Sequence, residues 1–100
     1  MRYIGYAELE PGRNFPKLED SFEKVAYPHK NDVLHFLLNG TVDFTRVSRA
    51  KDVFTGDFIP TEVRVMHDGD FYWSNTLAWY VEKYNLRLPK DFERHILNKS

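Results

Sequence analysis

From Thr61 to Tyr84 two stretches of period two flank a single Asp-Gly pair, and after Ser74-Asn75 the hydrophobic period changes once, to between three and four residues. "TEVRVM" (61–66) and "DFYW" (70–73) alternate as half-buried strands do. Leu77, Tyr80, Val81 and Tyr84 then recur at i, i+3, i+4 and i+7, one stripe of an amphipathic helix. Asp68-Gly69 predicts a two-residue type I′ turn, because both central residues of that turn need positive φ. Centred there, the hairpin sets Val65 opposite Tyr72, Met66 opposite Phe71 and Arg64 opposite Trp73. Val63, Val65 and Tyr72 then share one face; Arg64, Met66, Phe71 and Trp73 share the other. Ser74 or Asn75 is placed to cap the helix, and Asn85 to end it in a left-handed conformation. The stretch therefore commits the chain to strand, turn, strand and helix.

The flanks add elements of the same size. "RYIGYAEL" (2–9) alternates weakly and reads as a first strand, interrupted by Gly5. Pro11, Gly12 and Pro16 mark a loop. In "KLEDSFEKVAYP", Leu18, Phe22 and Val25 have helical spacing but lie between Pro16 and Pro28. "NDVLHFLLNG" predicts a short helix capped by Asn31, striped by Val33, Leu34, Leu37 and Leu38, and ended by Gly40 in a left-handed conformation. "TVDFTRV" predicts a half-buried strand with Val42 and Phe44 on one face. Residues 48–60 read as an irregular excursion with a turn at Thr55-Gly56-Asp57 and a stop at Pro60. Pro89 opens a last helix whose inner face is Phe92 and Ile96, with Lys99 near its negative end. Short hairpin-linked strands followed by helices predict one α+β domain over residues 1–100. It is a three- to four-stranded, mostly antiparallel sheet packed by about three short helices, two of them C-terminal.

Composition then removes function classes. With 100 residues and 42% hydrophobic content, one core forms without staples. The net charge of −1 gives no pull towards nucleic acid or anionic membrane. Cysteine is absent, which excludes disulfide scaffolds, zinc-thiolate sites and cysteine nucleophiles. "MRYIGYAELE" has no apolar segment of the signal-peptide kind, and no run reaches a membrane span, so the cytoplasm is the expected location.

No motif forces chemistry on the chain. His29, His35, His67 and His95 show no helical ligand spacing, so no metal site is expected, and no catalytic or cofactor-binding set emerges. "DGD" at 68–70 lacks the rest of a calcium loop, and "SFEK" at 21–24 lacks the other boxes of the penicillin-recognising enzymes. Arg46, Arg49 and Lys51 are flanked by Asp43, Asp52 and Asp57, which cancel their field and argue against nucleic-acid binding. The aromatic content of 16% is harder to absorb. Most rings of residues 71–84 suit a core. Trp79, about 200° round the helix from Leu77, does not fall on that stripe. Trp73 and Phe71 lie on the hairpin face opposite Val65 and Tyr72. Arg64, Phe71, Trp73 and Trp79 are therefore the candidate interface, with at least one indole expected to be exposed.

"FTGDFIP" followed by "DGDFYWSNTLAWYVEKYNLRLPKDF" resembles a group of small uncharacterised bacterial proteins, some associated with toxin-immunity or phage-linked loci. The resemblance covers about the last half of the chain. It implies an immunity-like role and carries over no functional residue. Two classes of function are thus expected. The first is a non-catalytic module that binds another protein or itself. The alternative is a small-ligand binder or enzyme using His67, Asp68, Asp70 or Arg64 near the 67–73 hairpin, which needs a concave pocket with convergent polar groups.

Overall fold

The computed structural model describes residues 2–99. Its strands are β1 (Arg2–Ile4), β2 (Thr41–Lys51), β3 (Phe58–His67) and β4 (Phe71–Ser74). Its helices are α1 (Lys30–Leu38), α2 (Thr76–Tyr84) and α3 (Lys90–Lys99), with one 3-10 turn at Glu19–Ser21. The sheet order is β1-β4-β3-β2, with β1 parallel to β4 and the other pairs antiparallel. The α+β class and the C-terminal helix pair are as the sequence predicts. None of the described helices is long and apolar enough to cross a membrane.

The hairpin keeps its faces but not its register. Observed pairs are Val65–Ser74, Met66–Trp73 and His67–Tyr72. The turn is centred one position later, on Gly69-Asp70, and Asp68 N–H donates to Phe71 C=O at 3.1 Å. Asp68 is drawn out of the centre because its carboxylate accepts the N–H groups of Asp70 and Phe71. Gly69 has φ 97°, while no positive φ occurs at Asp70. That is the type II′ arrangement, with glycine first. Pairing moves by two residues, so every side chain stays on the face assigned to it.

Trp73 is the main correction. It is 0% exposed, and its indole N–H donates to Leu37 C=O at 3.1 Å. Phe36 and Phe92 pack against its ring. The face it shares with Met66 is the helix-covered face of the sheet, so parity placed it correctly while exposure did not follow. Gly40 is explained by the same packing. It does not end α1 with positive φ, and a Cβ there would meet the Trp73 ring at 2.7 Å. Asn39 takes the C-cap position instead, and its side-chain amide donates to His35 C=O at 2.7 Å. At the other end of α1, His29 replaces the expected Asn31 cap and makes no side-chain capping bond.

The first strand stops at Ile4, and the next residue, Gly5, sits under Phe15, whose ring would be 2.7 Å from a Cβ. Leu18, Phe22 and Val25 do not make a helix: Phe22 is extended and bridges to Leu86, and Val25 is exposed. β2 runs four residues beyond expectation and is exposed over almost its whole length. Its pairing skips Asp43, so Val42 faces Met66 while Phe44 faces Val65, on opposite sides of the sheet. Pro60 does not stop β3 but lies within it, where pairing with β2 is irregular and a missing N–H is tolerated. Asn85 ends α2 at φ 53°, ψ 46°, as expected.

Buried side chains of the helix-covered face form one core around Ile4, Leu37, Trp73, Leu77, Tyr80, Val81, Phe92 and Ile96. The accessible surface of 6230 Å² agrees with the about 6,000 Å² expected for a single folded unit of this mass.

Candidate functional site

α1 has two apolar rows at i, i+4 spacing. Val33 and Leu37 are fully buried in the core. Leu34 and Leu38 point past it, and Leu38 is 58% exposed. The bulge at Asp43 turns Val42 to the same side as Met66. Between these residues, β3 and α2 lies an open cavity of about 480 Å³, walled by Leu34, Leu38, Val42, Ile59, Met66 and Trp79 and also by Arg64 and Glu82. A volume of several hundred cubic ångströms with apolar walls and few polar groups is typical of binding sites.

Arg64 is held from behind. Its N–H donates to Asn75 Oδ1 at 2.9 Å, and its C=O accepts the Asn75 N–H at 2.9 Å. The Asn75 amide also donates to Glu62 C=O at 2.8 Å. Asn75 thus spends its side chain on β3 rather than on capping α2. The backbone of Arg64 is pinned and the residue as a whole is half-buried, while its guanidinium has no ion-pair or hydrogen-bond partner among the described residues.

Trp79 forms the opposite wall. It is half-buried, its indole N–H donates to Asp52 Oδ2 at 2.9 Å, and Lys83 Nζ lies 4.5 Å from its ring centroid. Asp52 is buried and also accepts from the Tyr84 hydroxyl at 2.7 Å and from the N–H groups of Phe54 and Thr55. Burial alone pushes the Asp52 carboxyl up, but these four donors outweigh it and hold the group below its ordinary value. The bond to Asp52 is the main cause that pushes Tyr84 up to about 12. Read along the chain, Asp52 neutralises the basic residues of β2; in the fold it faces inward and fastens the β2–β3 turn to α2.

Of the four candidate interface residues, Arg64 and Trp79 meet in the groove. Trp73 is withdrawn from any surface by its burial. Phe71 lies towards α3, with its ring centroid 4.8 Å from those of both Phe92 and His95. Leu34, Leu38, Val42 and Ile59 were not among the candidates. For Leu34 and Leu38 the one signal was the double width of the α1 stripe, since one row of leucines suffices to seat a helix; Val42 and Ile59, on β2 and β3, gave none.

The hairpin holds a different polar cluster. His95 Nε2, not His67, reaches Asp68 Oδ2, at 2.5 Å, with Asp70 Oδ2 at 3.9 Å. One ligand atom from each of these residues lies within 4.8 Å of the others. Burial pushes Asp68 up, but the bonds from His95, Phe71 N–H and Asp70 N–H hold it below its ordinary value. His67 instead lines a smaller cavity of about 210 Å³ with His35, Phe36, Asn39 and Thr41, and its buried Nδ1 has no partner among the described residues. Comparison with family models, curated proteins and solved structures finds no match for this chain.

Proposed function

We propose that this protein is a non-catalytic module that binds another protein through the groove between α1, the β2–β3 ribbon and α2. One observation carries the reading: a pinned arginine with no hydrogen-bond or ion-pair partner among the described residues stands among apolar walls, two of which, Leu38 and Val42, are 58% and 47% exposed. Exposed apolar surface around a rigid polar anchor is the usual composition of an interface centre. An immunity-like role, which the resemblance of the C-terminal half implies, works by binding in the same way. At the rival hairpin site, expected from His67, Asp68, Asp70 or Arg64, the fold pairs Asp68 with His95 instead. Both oxygens of that carboxylate are already engaged, which favours a lock between hairpin and α3.

The test places a photo-crosslinking phenylalanine analogue at Leu38 and, as a control, at Val25, which is exposed and does not line the groove. In the native host, position 38 should trap one protein that position 25 does not. The purified partner should then bind the wild-type chain and lose affinity for Val42→Glu, a groove residue that is 47% exposed, while the variant stays folded. Equal labelling from both positions, or a partner indifferent to Val42→Glu, would remove the groove from the interface.

A further inference from the structure

We infer that the segment bound in this groove presents a carboxylate beside a large apolar side chain, and that Arg64 receives the carboxylate. The inference rests on the groove being the interface and adds the chemistry of its occupant. Two formally charged residues line the groove, Arg64 and Glu82. Glu82 has its own counter-ion, with Lys30 Nζ 4.0 Å from its Oε2, and its side chain is mostly in water. Arg64 has none, so the lining carries one uncompensated positive charge. Asn75 and Ala78, at the start of α2, lie in the same lining, and the positive end of that helix dipole adds to the charge.

The form of the cation selects among anions. A guanidinium offers a planar fork that matches the two oxygens of a carboxylate. A single fork suits one carboxylate better than a run of phosphates, and the walls of Leu34, Leu38, Val42 and Ile59 offer a nucleic-acid backbone nothing. Those walls suit an aliphatic or aromatic side chain next to the acid. They also exclude water from one side of the ion pair, which makes it stronger than a pair on open surface. An acidic, apolar segment of a protein therefore satisfies both features of the lining at once.

The probes are three blocked pentapeptides, acetyl-Gly-Phe-Glu-Leu-Gly-amide and its Gln and Lys counterparts, titrated into the full-length 15N-labelled chain. The Trp79 indole N–H and the Arg64 side-chain N–H signals report occupancy. The Glu peptide should bind about tenfold more tightly than the Gln peptide, the effect of one charge-assisted bidentate contact, and the Lys peptide more weakly still. Arg64→Gln should abolish the difference between Glu and Gln peptides without moving the melting temperature. Two further probes separate other occupants. 4-Phenylbutyrate binding as tightly as the Glu peptide would show that a small acid suffices and overturn the peptide assignment. A short single-stranded oligonucleotide shifting the same signals, with steep salt dependence, would overturn it too. So would equal affinity for Glu and Gln peptides, a preference that survives Arg64→Gln, or no shift with any peptide. If the cross-link at position 38 is obtained while the acid preference is absent, the interface stands and only the chemistry assigned to its occupant falls.

Discussion

Arg64 and Arg87 lie on opposite sides of α2 in sequence, and they stand in opposite electrostatic situations. Arg87 forks onto Glu93 with bonds of 3.0 and 2.8 Å, lies 3.8 Å from Glu23, and stacks 4.5 Å above the Tyr27 ring. Glu93, buried, also receives His29 at 2.7 Å and the Leu88 N–H at 2.9 Å. Burial pushes the Glu93 carboxyl up, but Arg87, His29 and Leu88 outweigh that and hold it below its ordinary value. Tyr6 and Tyr27 close the cluster by donating to the carbonyls of Arg87 and Leu86. Every strong group there has its partner within the chain. Arg64 has a fixed backbone and a free head. The first arrangement joins the N-terminal third to α3; the second leaves bonding capacity for something outside the fold.

The contrast can be broken from the packed side first. Leu77 is fully buried behind α2, and Leu77→Ala should cost about 4 kcal/mol through lost transfer energy and a residual cavity. A loss below about 1 kcal/mol in urea unfolding would show that this side is loosely packed as well. Glu93→Gln should cost about 3 kcal/mol, the low end for breaking a buried pair, since Arg87 retains some access to water. Stability unchanged in that variant would make the Glu93 cluster ornamental and the comparison empty.

Acid should act on the Glu93 cluster and on two further engaged carboxylates, Asp52 at the β2–β3 turn and Asp68 at the hairpin. Glu93, Asp52 and Asp68 have folded-state values depressed below their ordinary 4.5 and 3.8. Their contribution is whole above those ordinary values and is lost as pH falls through them towards the depressed ones. The urea midpoint should therefore fall as pH drops below about 4.5. A midpoint that rises on acidification would contradict the assigned signs.

Gly40 stands where the two regions meet, lining the groove and backing the Trp73 ring. Gly40→Ala should cost about 2 kcal/mol by overpacking, because that indole is held by Leu37 and has no room to retreat. A neutral substitution would mean that the core behind the groove yields easily. The smallest effect is the most discriminating. Arg64→Gln should change stability by less than about 0.5 kcal/mol, since its head bonds to nothing that folding needs. A loss as large as that of Glu93→Gln would give Arg64 a structural role and erase the distinction.

Much of the fold was legible because it is written in short-range periodicity. Alternation at 61–66 and 70–73 set the faces of the hairpin, and these survived a two-residue change of register because the strand period is two. The Leu77–Tyr84 stripe set the buried side of α2, and Asn85 its end. Gly69 was correctly placed at positive φ, although Asp68 moved the turn centre by taking two N–H groups on its carboxylate. Of the candidate site, Arg64 and Trp79 were legible as residues that the stripes left over. Their meeting in one groove was not, nor was the removal of Trp73 from the surface.

Those outcomes depend on contacts between segments far apart in the chain, which periodicity does not encode. One extra residue at Asp43 sends Val42 to the groove and Phe44 to the other side of the sheet. Asp52, a surface charge by its neighbours in sequence, is drawn inward by Trp79 and Tyr84 because their donors outweigh its desolvation. Asp68 meets His95 rather than the adjacent His67 because α3 packs against the hairpin, where Phe71 lies on Phe92 and His95. The sequence by itself determined which elements form, in what order, and which face of each is apolar, since those follow from residues a few positions apart. Only the tertiary structure decided which apolar faces are covered and that Arg64, alone among the arginines, lines the groove between α1, β3 and α2, because bulges, turn centres and helix seating are set by the whole core at once.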